Sequence, residues 1–422
     1  MKELRNKVIY QIFPRQYSKT HNFQGIIDDL DRIEKLKVDY IYLLPIHPIG
    51  KLARKGSVGS PYSIYDYRSI NKDYGGAKDF INLISSCHKR GIKVIMDIVF
   101  NHTSRDSVLV NEFPEWFCRD EFGNLKNRVG DWSDITDFTF EAEETYAYLI
   151  NTLKMYIQMG VDGFRCDVAP LIPLDFWKIA IPLCKEIKPE VIFIGESVDA
   201  DFIKYLRDEG YEVSSDGELF NYFDALYDYD IYRHFENYFN NKETLNRYLE
   251  EIYLQEGRFR SDYCKLRYVD NHDFGSAMSL IKDRNKVRNA LAMEAFFRGM
   301  FFLYNGIECL VDHRLDLFEI DEINWDNLDK EMEDLIIKLN TLKKDEVFKD
   351  GRFDIYYLNK DAATIKFFNK EKAYYGIFNY DYTLDINVNL KDGQYFDIIS
   401  NDYIEVKDSK IKMSKEPIIL KL

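Results

Sequence analysis

The sequence predicts an α/β fold: a (β/α)8 barrel of parallel strands, a small subdomain inserted after the third strand, and a C-terminal antiparallel β-sandwich domain. Three observations predict it. Short apolar runs alternate with helix-spaced segments through the first two-thirds of the 422 residues, the pattern of parallel strands joined by helical crossovers. The alternation is interrupted once, between Asn101 and Phe138. It ends near residue 345, after which period-two runs alternate with turn residues.

The elements follow in order. "KVIYQIF" (7–13) reads as a strand. "GIIDDLDRIEKLKV" (25–38) reads as a helix, since Ile27, Leu30, Ile33 and Leu36 share one face. "DYIYLLPI" (39–46) is a strand, "AKDFINLISSCHKRG" a helix and "IKVIMDIVF" a strand. "ETYAYLINTLKMYIQMG" (144–160) and "DFWKIAIPLCKEIKP" are helices that precede the strands "VDGFRCDV" and "EVIFIGES". "CKLRYVDNHD" and "MFFLYNG" are strands flanking the helical "RNKVRNALAMEAFFRG". Seven strands are clear, and the eighth is placed at "FDALYDY" (223–229). Eight repeats close a TIM barrel of about 250 residues plus insertions. The expected boundaries are 1–101 and 139–345 for the barrel, 102–138 for the subdomain, and 346–422 for the C-terminal domain. In that last domain the expected strands lie in "FDIYYLN", "AATIKFFN", "KAYYGIFNY", "LDINVNL", "YFDIIS" and "KIKMS".

A net charge of −15 argues against nucleic acid or an anionic membrane as partner. It fits a neutral small molecule. The 31 Tyr and 30 Phe could stack on sugar rings, although most aromatics fill cores. Cysteines at 87, 118, 166, 184, 264 and 309 form no C-x-x-C pair, so they read as buried reduced thiols rather than a zinc or redox motif. "MKELRNKVIYQIF" has no long apolar segment followed by a small-residue cleavage site. No apolar run approaches the roughly 20 residues of a membrane span. The expected location is the cytoplasm.

In a parallel barrel, reactive groups sit where strands end. "VIMDIVFNH" ends in Asp97, Asn101 and His102; "GFRCDV" carries Arg165 and Asp167; "VIFIGES" ends in Glu196; "RYVDNHD" ends in Asn271, His272 and Asp273. One acid after a strand is ordinarily a helix N-cap. Four clusters in four repeats converge on one cavity if the barrel closes. Three carboxylates, an arginine and two histidines suit a transition state that gains positive charge, as glycosidic cleavage does. Arg165 beside Asp167 is expected to keep that aspartate ionised, as a nucleophile requires. Glu196 has no basic neighbour in sequence, so desolvation and nearby acids would raise its pKa, as a general acid requires.

These four stretches resemble the four conserved regions of glycoside hydrolase family 13, the α-amylase family, in the family's order. The likeness runs from "YQIFPRQYS" to "FLYNGIE". It implies that Asp167 forms a covalent glycosyl-enzyme, Glu196 protonates the leaving oxygen and later activates water, and Asp273 binds sugar hydroxyls in the transition state. Arg165 would support Asp167, and His102 and His272 would hydrogen-bond the sugar at the cleavage subsite. In "GSPYSIYDY", Tyr62 lies four residues before Asp66, as in the family segment whose tyrosine stacks on that sugar. Asp97 and Asn101 would be structural, as would Asp66 near the site, and Glu308 in "YNGIE" matches a family signature.

The chain departs from the family after the nucleophile. Many members carry Lys-His there, whereas this sequence reads "DVAPL". That removes a carbonyl donor to structural calcium and a leaving-group contact. Asn101 and Asp137 (in "ITDF") still match calcium-ligand positions, and oxygen donors suit that ion. The expectation is no cofactor for the chemistry, with calcium as a structural ion held by those two residues. Val168 resembles members that also accept α-1,6 linkages. The leading reading is a retaining hydrolase of α-1,4-linked glucose oligosaccharides. Its rivals are a glycosyltransferase using the same site, a non-catalytic carbohydrate-binding relative, and a phosphate-handling barrel. The last would need a Gly-rich phosphate loop that the sequence lacks.

Overall fold

The computed structural model describes residues 1–130, 132–382, 385–412 and 415–422. Eight short strands form the barrel: β1 (Val8–Ile12), β2 (Tyr40–Leu43), β3 (Lys93–Ile98), β4 (Gly163–Cys166), β5 (Ile192–Gly195), β6 (Ala225–Leu226), β7 (Leu266–Arg267) and β8 (Met300–Tyr304). The sheet runs β6-β5-β4-β3-β2-β1-β8-β7, with every pairing parallel. A parallel bridge between Leu226 and Lys265 joins the two ends, with the Leu226 amide donating to the Cys264 carbonyl at 3.0 Å. The weakest expected strand, β6, is thus real but two residues long. It serves as the closing seam.

Period-two alternation sends one set of side chains into the barrel and the other toward the helices. Phe302 lies in the barrel interior, with the rings of Tyr42, Tyr227 and Tyr268 6.2, 6.0 and 5.7 Å away. Below the seam, Lys265 is fully buried. Its ammonium donates to Asp230 and the Tyr227 carbonyl, both at 2.8 Å, and to Asp216.

The interruption after β3 is a compact lobe. His102–Ser104 pairs antiparallel with Ile135–Asp137, in the register His102 opposite Asp137. Phe117 packs on Phe138 with ring centroids 4.7 Å apart. The lobe therefore has its own hairpin and stays continuous with the barrel core.

The C-terminal domain is a six-stranded antiparallel sheet. Its spatial order is Arg352–Asn359, Ala362–Phe368, Ala373–Asn379, Ile418–Lys421, Gly393–Asp397 and Asp402–Val406. The expected strands at "LDINVNL" and "KIKMS" are Asp385–Asn387 and Lys410–Lys412, which pair as a ribbon; Leu384, Met413 and Ser414 lie outside the described residues. Strands Asp402–Val406 and Ile418–Lys421 have no counterpart among the expected runs. Among the described residues, the second layer of the expected sandwich is this ribbon, packed through Ile386 and Ile411 onto Tyr375, Ile377 and Leu420. The other face of the sheet rests on the barrel, where Phe367 and Phe378 meet Phe296 of helix Arg284–Phe296 at 6.1 and 5.8 Å.

Removing the cation below the seam would strand the buried Asp216 carboxylate and take one partner from the half-buried Asp230. Lys265→Met should destabilise the chain by about 3–5 kcal/mol, read as a lower urea midpoint; an unchanged midpoint would show that the seam does not depend on this pair.

Candidate active site

Asp167 and Glu196 stand at the C-terminal ends of adjacent strands β4 and β5, and Asp97 points inward from β3. Their common partner is Arg165, 1% exposed, projecting inward from β4. Its Nη1 donates to Asp167 Oδ1 at 2.7 Å and to both oxygens of Asp97 at 3.0 and 3.1 Å. Its Nη2 reaches Glu196 Oε2 at 3.0 Å and Asp273 Oδ2 at 3.9 Å. The two principal acids are therefore fastened to the two terminal nitrogens of one guanidinium. A cavity of about 240 Å³ opens over them, walled in part by Tyr62, His102, Trp132 and Phe318.

The free oxygens follow from these bonds. Asp167 Oδ1 is held by Arg165, so Oδ2, 4.0 Å from His102 Nε2, is the oxygen presented to the cavity. Glu196 Oε2 accepts from Arg165 and, at 2.6 Å, from the Val168 amide, which leaves Oε1 to carry a proton. Val168 adopts a left-handed backbone (φ 35°, ψ 49°), an outlier for a β-branched residue. That turn aims its N–H back at Glu196.

Burial and charge shift the titration of these groups. Burial lifts Asp167 to about 7 against the opposing pull of Arg165. The adjacent guanidinium lowers it, in the sense the sequence predicts, and desolvation acts the other way. Glu196 is pushed well above the ordinary range by burial, with the Asp167 and Asp273 charges adding to the lift against Arg165. Asp97 rises to about 6 for the same reason of burial. Asp273 is held below its usual value despite burial, by His272, Arg165 and a 2.6 Å bond from the Tyr229 hydroxyl. Burial thus favours the protonated form of Glu196, while Asp273 gives up its proton more readily than an ordinary carboxyl. Burial lowers both His102 and His272 to about 4, so they are neutral donors or acceptors here.

The remaining expected residues divide. Tyr62 stacks on His272 with ring centroids 5.5 Å apart, and its hydroxyl contacts His272 Nε2 and, at 3.0 Å, Asp97. Gln11 fixes the other ring nitrogen of His272 at 2.9 Å. Asp66 is not brought to the cavity; it caps its own turn through the Arg68 amide at 2.9 Å and the Ser69 hydroxyl. Glu308 is buried beside β1, taking the Tyr10 hydroxyl at 2.7 Å and Arg32 at 3.0 Å. Asn101 and Asp137 do come together, but around Arg128, which donates to Asn101 Oδ1 at 2.6 Å and Asp137 Oδ2 at 2.8 Å. A guanidinium in that position, with one carboxylate beside it, does not fit calcium, which takes six to eight oxygen ligands. Tyr42, Tyr229, Trp132 and Arg128 are site residues the sequence reading missed. Tyr42 was legible in principle, two residues from Tyr40 on an inward register; Arg128 lies in a stretch without periodicity.

Comparison with known proteins gives a consistent picture. Residues 11–122 and 128–350 match the family model described as alpha amylase, catalytic domain. Residues 355–420 match that of the bacterial alpha amylase C-terminal domain. The crystal structure of an alpha-amylase from Lactobacillus plantarum superposes with a TM-score of 0.96 at 38% identity, over 100% of both chains. A noncanonic maltogenic alpha-amylase from Thermotoga neapolitana gives 0.89 at 30% identity, over 100% of this chain and 99% of that one. An alpha-1,4-glucan:maltose-1-phosphate maltosyltransferase from Picrophilus torridus is 27% identical across 79% of this chain and 54% of its own length. The chain spans about half the length of the curated relatives it matches.

A carboxyl whose folded pKa is raised binds its proton more tightly folded than unfolded. Its contribution to stability is complete at low pH and declines as pH climbs from about 4, the ordinary carboxyl value, to about 7 for Asp167, and it declines in the same sense for Glu196, which burial also raises. Glu196→Gln removes one such group. Its fall in melting temperature from pH 5 to pH 8 should be smaller than the wild type's by about 2 °C or more; an equal or larger fall would contradict the upward shift of Glu196.

Proposed function

Because the chain belongs to the alpha-amylase family, we propose that it is a retaining hydrolase of α-1,4-linked glucose oligosaccharides, working through a covalent glycosyl-enzyme. The observation that carries this reading is the pairing of Asp167 and Glu196 on one guanidinium, which suits the roughly 5–5.5 Å carboxyl separation of retaining enzymes. In this reading Glu196 Oε1 gives its proton to the glycosidic oxygen as the bond to the anomeric carbon breaks. Asp167 Oδ2 attacks that carbon from the opposite face and becomes an ester. Water then enters where the leaving sugar stood, gives a proton to Glu196 and displaces Asp167. Two inversions restore the starting anomer.

The other groups act on the sugar. Asp273, held ionised, would bind hydroxyls and balance the positive charge that develops at the ring. Tyr62, stacked on His272, would present an aromatic face to the same ring. The Tyr229 hydroxyl, itself taking the Asn271 amide at 3.1 Å, would fix Asp273 in place. Six free cysteines fit a reducing compartment, in keeping with a cytoplasmic enzyme of soluble oligosaccharides. We divide the chain into a barrel (1–101 and 139–345), a subdomain (102–138) and a C-terminal domain (346–422), a division supported by family models that meet between residues 350 and 355. A second reading, transfer of the glycosyl group to another sugar, is favoured by the likeness to a named maltosyltransferase. It differs only in whether water or a sugar hydroxyl opens the ester.

Maltotetraose with the anomers followed by NMR should release α-anomeric products first. Longer oligomers accumulating early would favour transfer, and β-anomers would refute retention. Asp167→Asn should lower turnover about 1,000-fold or more while the protein stays folded; near-normal hydrolysis would overturn the assignment.

A further inference from the structure

Arg128 makes four hydrogen bonds, and they tie three separate segments together. Its Nη2 donates to Asn101 Oδ1 at 2.6 Å, just past β3. Its Nε and its backbone amide both donate to Asp137 Oδ2, at 2.8 and 2.9 Å, in the lobe hairpin. Its Nη1 donates to the Leu171 carbonyl at 2.8 Å, in the turn that follows Asp167. A side-chain amide oxygen, a carboxylate oxygen and a carbonyl oxygen thus converge on one positive charge. A hard cation would need that same kind of donor set, and here its place is filled by the protein. Among the described residues Asp137 Oδ1 is buried without a hydrogen-bond partner, so Arg128 engages the carboxylate through its other oxygen. Among the described residues no cluster of three His, Cys, Asp or Glu side chains is gathered to hold a metal.

The same bonds reach the cavity. Asn101 can offer either an oxygen or an amide to each neighbour. The guanidinium requires the oxygen, so the amide Nδ2 faces His102 Nδ1 at 3.1 Å and donates to it. His102 Nδ1 is then an acceptor, and the ring proton sits on Nε2. That nitrogen is the one 4.0 Å from Asp167 Oδ2, in the cavity wall.

We propose that Arg128 is a built-in cation that stands where a calcium ion would otherwise join the lobe to the barrel, and that it positions His102, through Asn101, as an Nε2–H donor facing the cavity. Arg128 is a positioning residue, since two bonds separate it from the cavity. The positioning half rests on the proposed role of the Asp167 cavity; the calcium half does not.

Two measurements on the wild-type chain test it. Titration calorimetry with calcium should give no saturable binding, and melting curves in millimolar calcium and in EDTA should coincide within about 1 °C. One bound calcium per chain that raises the melting temperature would overturn the first half. In ¹⁵N-histidine NMR, the signals absent from His102→Gln should carry the shifts of the Nε2–H tautomer; an Nδ1–H tautomer would overturn the second half. Arg128→Met should then mix the tautomers and lower kcat by about 10–100-fold, the usual effect of removing an outer partner of a site ligand. Arg68→Met, which removes an exposed cation lying over Tyr148, should change neither. If Arg128→Met does not fold, the wild-type titration and tautomer still decide. Absence of glucan hydrolysis by the wild type would sink the proposed function and leave both readouts intact.

Discussion

Everything at the mouth of this barrel depends on one buried guanidinium shared among too many acids. Arg165 is almost fully excluded from water, and a lone buried cation of that kind would be costly. Its terminal nitrogens are taken up by Asp97, Asp167 and Glu196, with Asp273 at the edge. The pairing removes the penalty for the arginine but leaves negative charge in excess. The cavity answers that excess by holding protons. Burial and the charges of Asp167 and Asp273 both favour the protonated form of Glu196. The functional difference between two chemically similar side chains thus comes from position, with a single cation as the reference point for both.

The barrel supplies that position through strand geometry. Arg165 and Asp167 lie two residues apart at the end of β4, so alternation sends both inward. Parallel register sets Asp97 opposite Arg165 and Gly195, the residue before Glu196, opposite Cys166. None of these contacts requires a long or mobile loop. The left-handed turn at Val168 is the one backbone irregularity in the group. It occurs where a peptide N–H must turn back toward an acid, a local conflict of the sort that functional sites retain.

Much of this was legible in the sequence, and the failures have physical causes. The acids were legible because each closes an apolar run, and a closed barrel brings such ends together. The sixth strand was faint because only Ala225 and Leu226 pair, too few residues to establish a period. Asp66 and Glu308 sit in motifs that surround the cavity, yet their side chains turn to local amide and hydroxyl donors; proximity in sequence does not fix direction. For Asp167, the neighbour that lowers its pKa is visible in the sequence and the burial that raises it is not. Arg128 left no periodic trace, since its three acceptors lie on three separate segments.

The two buried-arginine sites show what decides whether such a cluster is reactive or structural. At Arg165 one cation faces three close carboxylates, so bonding alone cannot balance the charge and a proton must be retained, ready for transfer. At Arg128 one cation faces one carboxylate, and its other acceptors are neutral oxygens. That charge is matched where it stands, and the bonds are left to hold segments in place. The sites are a few residues apart along β3 and the turn after β4, built from the same side-chain type and the same kinds of oxygen. What separates chemistry from scaffolding here is the count of carboxylates around each guanidinium, a quantity that folding sets and that no single motif records.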